Sequence, residues 1–145
     1  ALASAPAPRW GLGPRPPLVA DALLAVHRSY LRPVLAAMKK VRIHGMAHIT
    51  GGGFPDNIPR ILPDNRVAVI DRAMWKVPPV FAFIQEQGNV DRDEMYRVFN
   101  MGIGYVLIVR PGDEIPTLTE LRKANCPGVK IGYVKSGRRG VKMVN

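Results

Sequence analysis

The chain contains very little cysteine, which limits the chemistry open to it. Its 145 residues include one cysteine, Cys126, which can neither close a disulfide within the chain nor hold a zinc ion by itself. We interpret it as a bystander in a loop before Pro127, in a reducing compartment. The sequence also lacks an apolar run of the roughly 18 to 20 residues that a membrane span requires, so we expect a soluble protein without membrane contact.

Several common catalytic and nucleotide-binding motifs are missing as well. There is no Gly-Lys-Ser/Thr phosphate loop, no Gly-x-Gly-x-x-Gly turn and no nucleophile elbow or Ser-His-Asp arrangement. Among the three histidines, His27 and His44 are interpreted as hydrogen-bonded structural residues, and no two of the three are spaced with an acid to bind a metal. We therefore predict no metal site and assign no catalytic residue from motifs.

Acidic residues are scarce, and the resulting positive charge is unevenly placed. Eleven Asp and Glu stand against 21 Lys and Arg, for a net charge of +10. Residues 1–47 carry +6 and residues 110–145 carry +5, while residues 48–109 are close to neutral. Basic ends suit an anionic partner such as nucleic acid, but they lack interleaved aromatic residues, so a solvated surface is the competing interpretation.

The amino-terminal residues differ in composition from the rest. ALASAPAPRWGLGPRPP is rich in Ala, Pro and Gly, has no hydrophobic period and lacks the apolar centre of a secretory signal. We interpret residues 1–17 as a Pro-rich basic arm or linker and residues 18–145 as a folded domain. Whether the arm is a remnant of organellar targeting or of a longer chain stays open.

Helical and strand patterns alternate along the domain. Pro79 and Gly88 are typical of a helix start and a helix stop, and the inward-facing residues of that predicted helix are Val80, Phe81, Phe83 and Ile84. Asp91 is predicted to cap the next helix. The apolar stripe of this second helix is Met95, Val98 and Phe99. Further helices are predicted at 22–38, with a kink or restart at Pro33, and at 117–124. Strands are predicted at 43–49, 66–71, 105–109, 129–134 and 141–144. This alternation predicts an α/β fold, a three-layer domain with a mixed sheet flanked by helices.

A glycine-rich turn follows the first predicted strand. The stretch HITGGGFPDNIPR places Gly51, Gly52 and Gly53 between an apolar run and a helical turn, where backbone N–H groups can converge on an anion. Thr50, Asn57 and Arg60 add side-chain donors suited to phosphate. A tight structural turn is the alternative explanation for the glycines.

Two further residues are candidates because they stand beside turns. His48 ends the strand before the glycines and could donate to a phosphate or move a proton, although a backbone hydrogen bond would also explain it. Asn100 opens the turn FNMGIG between a helix and a strand, a place where α/β folds often present backbone to ligands. Capping of the helix end by Asn or Gly is the alternative there.

The order of these motifs resembles a known family. GMAHITGGGFPDNIPRILPDN followed by AVIDRAMWKVPPVFAFIQEQGNVDRDEMYRVFNMGIGYVLIV looks like the carboxy-terminal half of phosphoribosylformylglycinamidine cyclo-ligase, also called aminoimidazole ribonucleotide synthetase, most densely over residues 40–109. The resemblance implies that family's carboxy-terminal fold and a role in purine biosynthesis, the ATP-dependent closure of formylglycinamidine ribonucleotide to aminoimidazole ribonucleotide. It also implies a substrate or phosphate site, facing a cleft between domains, formed by Gly51, Gly52 and Gly53 with Thr50, Asn57 and Arg60. We add His48 and Asn100 to the predicted site because of their positions beside the two turns.

The resemblance also implies partners that these residues do not supply. In the family a separate amino-terminal domain binds most of the ATP and Mg²⁺ and makes the dimer contacts, so we expect this chain alone to hold neither ligand and to be inactive. The expected partners are that ATP-binding domain, formylglycinamidine ribonucleotide and a second copy in a homodimer, in the cytoplasm or, alternatively, in an organelle. Near the first helix the family prefers Pro-Thr-Arg-x-Tyr, of which this chain keeps Arg28 and Tyr30.

Two functional hypotheses follow. In the first, the chain is the carboxy-terminal half of the cyclo-ligase and works when joined to the ATP-binding domain. In the second, it is an enzyme-derived, non-catalytic module whose basic ends dock on RNA or a large complex. The motifs favour the first hypothesis, whereas the positive charge of the two ends leaves the second hypothesis open.

Overall fold

The computed structural model describes residues 2–6 and 19–145, with side chains from residue 21 onward. In this part of the chain the strands are β1 (Leu2–Pro6), β2 (Gly45–His48), β3 (Arg66–Asp71), β4 (Ile103–Ile108), β5 (Val129–Ser136) and β6 (Gly140–Val144). The helices are α1 (Val19–Leu23), α2 (Leu31–Met38), α3 (Gly53–Asn57), α4 (Pro79–Gly88), α5 (Arg92–Val98) and α6 (Glu114–Lys123). Single 3-10 turns lie at Pro59–Ile61, Arg72–Met74 and Pro111–Asp113.

The described strands form one mixed sheet. Their order is β2-β4-β1-β5-β3-β6. Strand β3 runs parallel to β6, and the other neighbouring pairs are antiparallel. Among the described strands, β2 lies at one edge of the sheet and pairs with β4 alone.

Helices cover both faces of this sheet because its strands carry apolar residues on both sides. Along β4, Val106 packs into a core shared with α3 and α5, whereas Leu107 points to the other face and packs against α2 and α6. Buried Phe54 and Met95 belong to the first core, and Leu121 belongs to the second. The predicted three-layer α/β domain with a mixed sheet is confirmed.

The amino-terminal segment differs from the sequence-based prediction. Leu2–Pro6, predicted to lie in an arm or linker, forms β1 in the interior of the sheet, between β4 and β5. Alternating hydrophobicity did not reveal this strand, because its stability comes from backbone pairing with two strands that lie far along the chain. Residues 7–17 of the predicted arm lie outside the described residues, and the division of the chain at residue 17 stays a prediction.

The single helix predicted over 22–38 is two helices. Helix α1 ends at Leu23 and α2 begins at Leu31, just before Pro33, so the restart at this proline is correct but the break before it is longer. Proline is accommodated in the first turn of a helix, where its missing N–H has no intrahelical partner. The non-helical segment between the two helices carries His27, Arg28 and Tyr30.

Two side chains predicted to face the core do not. Phe83 in α4 is 39% exposed and Val98 in α5 is 38% exposed, while Tyr96 is buried. Short helices at the rim of the first core bury only part of their apolar stripe. Helical spacing alone therefore overestimates the number of apolar side chains that are buried. Asp91 does cap α5, since its carboxylate accepts from the backbone N–H of Asp93 at 2.8 Å.

Candidate functional site

The glycine-rich loop joins edge strand β2 to the short helix α3. Gly52 has φ +90° and Gly53 has φ +54°, both in the left-handed region. Gly52 is the residue preceding α3 and lies four residues after His48, the last residue of β2. Glycine reaches this region without the steric cost that a Cβ imposes, which explains why the loop is glycine-rich.

Contacts within the fold require glycine at two of the three positions. A Cβ on Gly53 would overlap the backbone carbonyl oxygen of Tyr96 and crowd that of Arg97, because α3 packs directly against the end of α5. A Cβ on Gly52 would overlap the side chain of Asp56. A Cβ on Gly51 would meet no atom of the described residues within 4 Å. The structural turn therefore accounts for Gly52 and Gly53, and Gly51 is the position at which a ligand has room to approach.

Asn57 holds the loop in shape. Its side chain is buried, and its amide nitrogen faces the carbonyl oxygens of Gly53 at 2.8 Å, Gly51 at 3.3 Å and Thr50 at 3.4 Å. An amide nitrogen has two protons, so these carbonyl groups account for its donor capacity. Asn57 thus fixes the backbone of the loop from inside, and its amide nitrogen is directed away from any ligand above the glycines.

Two charged residues of opposite sign flank the loop. Arg60 is exposed in the 3-10 turn that follows α3, and Thr50 is exposed at the start of the loop. Asp56 is also exposed, with its carboxylate beside Gly52. Because a carboxylate repels an anion, an anionic ligand would approach the Thr50 and Gly51 side of the loop. Arg60 is the candidate cation of this region.

His48 lies in a cluster of four rings. It is paired across the sheet edge with Tyr105, and the two ring centroids are 5.9 Å apart. Tyr30 stands 6.1 Å from His48 and 5.3 Å from Tyr105. The ring of His27 is 5.1 Å from that of His48 in an edge-to-face arrangement. Edge-to-face packing at these separations is favourable for aromatic rings.

The cluster keeps His48 in its neutral form. Partial burial, and secondly the charge of His27, lower the pKa of His48 below its ordinary value of 6.5. A lowered pKa means that His48 is uncharged at neutral pH and protonates only as the pH falls below that value. Burial likewise raises the pKa of Tyr30, so its phenol stays protonated. The site therefore offers an uncharged imidazole beside the protonated phenol of Tyr30.

Tyr30 reaches this position because β4 carries a glycine beneath it. A Cβ on Gly104 would overlap the Tyr30 hydroxyl group, so the absence of a side chain at 104 lets the phenol ring lie against the strand. Gly104 in turn accepts a hydrogen bond from the backbone N–H of Ile49 at 2.9 Å, next to His48. The second glycine of FNMGIG therefore supports the ring cluster rather than a ligand.

Asn100 lies at a separate cleft. Its side-chain oxygen accepts from the N–H of Gly102 at 2.9 Å, which stabilises the turn before β4. Asn100 also lines a cleft of about 250 Å³ between α4 and the segment that carries His27 and Arg28. Both its turn-forming role and its access to a ligand are thus compatible with the structure.

Two residues outside the predicted site, Arg28 and Tyr30, connect the cleft at Asn100 with the region around His48. Arg28 and Tyr30 line both the cleft at Asn100 and a second cleft of about 430 Å³ that contains His48 and Tyr105. The only sequence signal for them was their agreement with the Arg-x-Tyr part of the family pattern. The predicted site residues thus fall in two groups, Thr50 to Arg60 around the glycine loop and His48 and Asn100 along the clefts, and their roles stay predictions.

Metal-binding side chains do not gather at either place. Among residues 2–6 and 19–145, no group of three or more His, Cys, Asp or Glu side chains is arranged to hold a metal ion. In the same part of the chain no helix has the length and apolar character needed to cross a bilayer.

Comparison with known sequences identifies the family. Residues 7–145 match the family described as AIR synthase related protein, C-terminal domain. The chain belongs to this family. It is 48% identical over 120 residues to the phosphoribosylformylglycinamidine cyclo-ligase of Chromobacterium violaceum and 45% identical over 130 residues to that of Anaeromyxobacter dehalogenans. These matches cover 83% and 90% of this chain but 35% and 37% of the relatives, so the chain spans about a third of their length.

Solved structures show that the AIR synthase-related fold is shared more widely. The hydrogenase maturation protein HypE superposes with a TM-score of 0.65 at 22% identity, over 81% of this chain and 39% of that protein. Thiamine-monophosphate kinase from Stenotrophomonas maltophilia gives a TM-score of 0.51 at 14% identity, over 70% of this chain and 31% of that protein. At these identities the likeness concerns the fold alone. None of the comparisons supports docking on RNA or on a large complex.

Proposed function

We propose that this chain is the carboxy-terminal half of an ATP-dependent cyclo-ligase of purine biosynthesis, which closes formylglycinamidine ribonucleotide to aminoimidazole ribonucleotide. The observation that carries the proposal is identity of 45 to 48% to cyclo-ligases over most of the chain. The partner that completes the enzyme is an amino-terminal domain, in the cytoplasm, with a homodimer as the assembled form.

The chain's own residues bind and orient the substrate in this proposal. ATP, bound with Mg²⁺ mainly by the amino-terminal domain, supplies the phosphoryl group that activates the formyl oxygen as a leaving group. Thr50 and Gly51 are exposed in the loop, and in this proposal the Thr50 hydroxyl and the Gly51 N–H donate to a phosphate oxygen. Holding both reacting ends of one substrate in contact is the main task of an enzyme that closes a ring.

His48 is the proton-handling residue of the proposed site. Its ring is neutral at neutral pH, partly exposed and joined to the loop through Ile49 and Thr50. A neutral imidazole accepts a proton, and ring closure by a nitrogen requires that the nitrogen lose one. Arg28, at both clefts, is placed to offset negative charge on the substrate.

Turnover measured with and without an added amino-terminal domain tests this function. We expect the 145-residue chain alone to show no ATP-dependent formation of aminoimidazole ribonucleotide, and the chain mixed with the amino-terminal domain of a bacterial cyclo-ligase to show it. Product absorbance and phosphate release measure the same reaction independently. If the two halves form a stable complex that releases no phosphate and makes no product, the proposed function is wrong.

Arg60→Ala tests the loop as a phosphate site. We expect KM for formylglycinamidine ribonucleotide to rise roughly 10- to 100-fold in the assembled enzyme, since a charge-assisted hydrogen bond contributes about 1.5 to 3 kcal/mol. Stability should hardly change, because Arg60 is exposed. Arg122→Ala is the matched control, since Arg122 is exposed on α6, a helix that packs on the opposite face of the sheet. Equal KM values for both variants would remove Arg60 from the site.

A further inference from the structure

The His27 and His48 rings form a contact that neither the motifs nor the relatives assign. The two residues come from different elements: His27 from the non-helical segment between α1 and α2, and His48 from the end of edge strand β2. Their centroids are 5.1 Å apart with the ring planes at 77°. His27 also stands edge-to-face to Tyr30, at 5.7 Å. His48 thus has aromatic neighbours from the inter-helix segment and from β4.

The ring of His27 is hydrogen-bonded to the backbone of the next residue. Its Nδ1 lies 2.9 Å from the carbonyl oxygen of Arg28. A carbonyl oxygen only accepts hydrogen bonds, so Nδ1 is the donor in this contact. A positive charge on this ring lies next to His48 and opposes a second positive charge there.

Among the described residues, few other charged groups face His48. The cleft that contains it is lined by Arg28 and by the rings of Tyr30 and Tyr105, with Met38 and Met46 among its apolar residues. None of these residues offers a carboxylate that would favour a charged imidazole. The surroundings of His48 therefore act in one direction, against its protonation.

We propose that His27 is a positioning residue for His48, holding that imidazole against Tyr105 and keeping it uncharged so that it can accept a proton from the substrate. The contact itself follows from the structure, and its use in turnover rests on the proposed cyclo-ligase function. His27 touches His48, not the reacting atoms, so it acts through its neighbour. Partial burial and the charge of His27 both lower the pKa of His48, in agreement with this role.

Proton NMR titration of the histidine rings tests the pairing without any need for activity. The chain contains three histidines, so the ring signals are assignable by single substitutions. We expect His48 in the unaltered chain to titrate below the ordinary value of 6.5. His27→Phe keeps a ring and removes the charge, so the His48 midpoint should rise. His27→Ala also removes the ring and exposes His48, so the midpoint should rise further toward its ordinary value.

The matched control is His44→Phe. His44 is exposed just before the same strand as His48, and none of the ring contacts of the cluster involves it. Its replacement should leave the His48 midpoint unchanged. A His48 midpoint that is the same in the unaltered chain and in both His27 variants would overturn the proposal. Because His27 is exposed, dispersed NMR spectra are expected for every variant.

The pH profile of the assembled enzyme tests the functional part. A higher His48 pKa leaves less of the neutral ring at low pH, so His27→Phe should shift the acidic limb of kcat upward in pH, with activity near pH 8 retained. A merely structural role would lower kcat at all pH values without moving the limb. An NMR shift without a shift of the limb overturns the positioning role. Complete absence of turnover in the unaltered enzyme refutes the proposed function, and the titration still decides the pairing.

Discussion

Replacing Gly53 with alanine is expected to destabilise the domain by about 2 to 4 kcal/mol. Its φ of +54° costs a residue with a Cβ about 1 kcal/mol, and that Cβ would overlap the Tyr96 carbonyl oxygen. The overlapped atom is backbone at the end of α5, so the strain cannot be relieved by rotating a side chain. Two packed helices must separate, which disturbs the core around Phe54. Urea unfolding followed by tryptophan fluorescence measures the change.

Gly51→Ala is the matched control for this variant. It introduces the same methyl group two residues earlier in the same loop, where no atom of the described residues lies within 4 Å. Its effect on stability should stay within about 0.5 kcal/mol. Equal destabilisation by both changes would contradict the account of the loop given by the structure. In the assembled enzyme, Gly51→Ala tests ligand binding without a change in stability. A substitution at Gly52 or Gly53 would alter stability as well, so its effect on binding could not be interpreted.

Deleting residues 1–6 is expected to abolish cooperative folding. Strand β1 pairs with β4 from Leu2↔Ile108 to Pro6↔Ile103 and with β5 from Leu2↔Gly132 to Ser4↔Val129. Without it, β4 and β5 lose their shared partner and the sheet divides into β2-β4 and β5-β3-β6. Each unpaired buried backbone group costs about 1 to 3 kcal/mol, so several of them exceed the usual 5 to 15 kcal/mol stability of a domain.

Near-ultraviolet circular dichroism and size-exclusion chromatography measure this outcome. We expect the deletion variant to lose its fixed aromatic environment and to aggregate through the exposed strand edges. Deleting Ala1 alone is the control, because all pairs of β1 begin at Leu2. Ser4→Pro is a milder version, since proline interrupts a strand that has partners on both sides. An unchanged melting temperature after the full deletion would show that the sheet does not depend on β1.

Local signals in the sequence predicted much of the fold. Strand β3 and helix α4 have the bounds expected from the turn LPDN and from Pro79 and Gly88, because these residues act on the backbone next to them. Asp91 likewise caps α5 as expected. Strand β1 was missed because a segment of Ala, Ser and Pro has no hydrophobic period, and its pairing depends on distant strands.

The candidate site was predictable only in part. The glycine triplet and Asn57 stand out in the sequence, but the reason for Gly53 lies in α5, and the carbonyl partners of Asn57 appear only when the loop is folded. The ring cluster could not be found by spacing, since His27 and His48 are brought together by a non-helical segment that was predicted to be helix. Contacts between distant segments carry no local sequence signature.

The position of β1 also bears on how the protein is made. During synthesis Leu2–Pro6 is made before both of its partners, β4 and β5, which end at Ile108 and Ser136. Strand β1 therefore stays unpaired until those two strands have been translated. Contacts so distant in sequence slow folding, because a long loop must close before any pairing compensates for it. Pairing of β1 is therefore a late step in the folding of this domain, although β1 precedes every other described strand in the sequence.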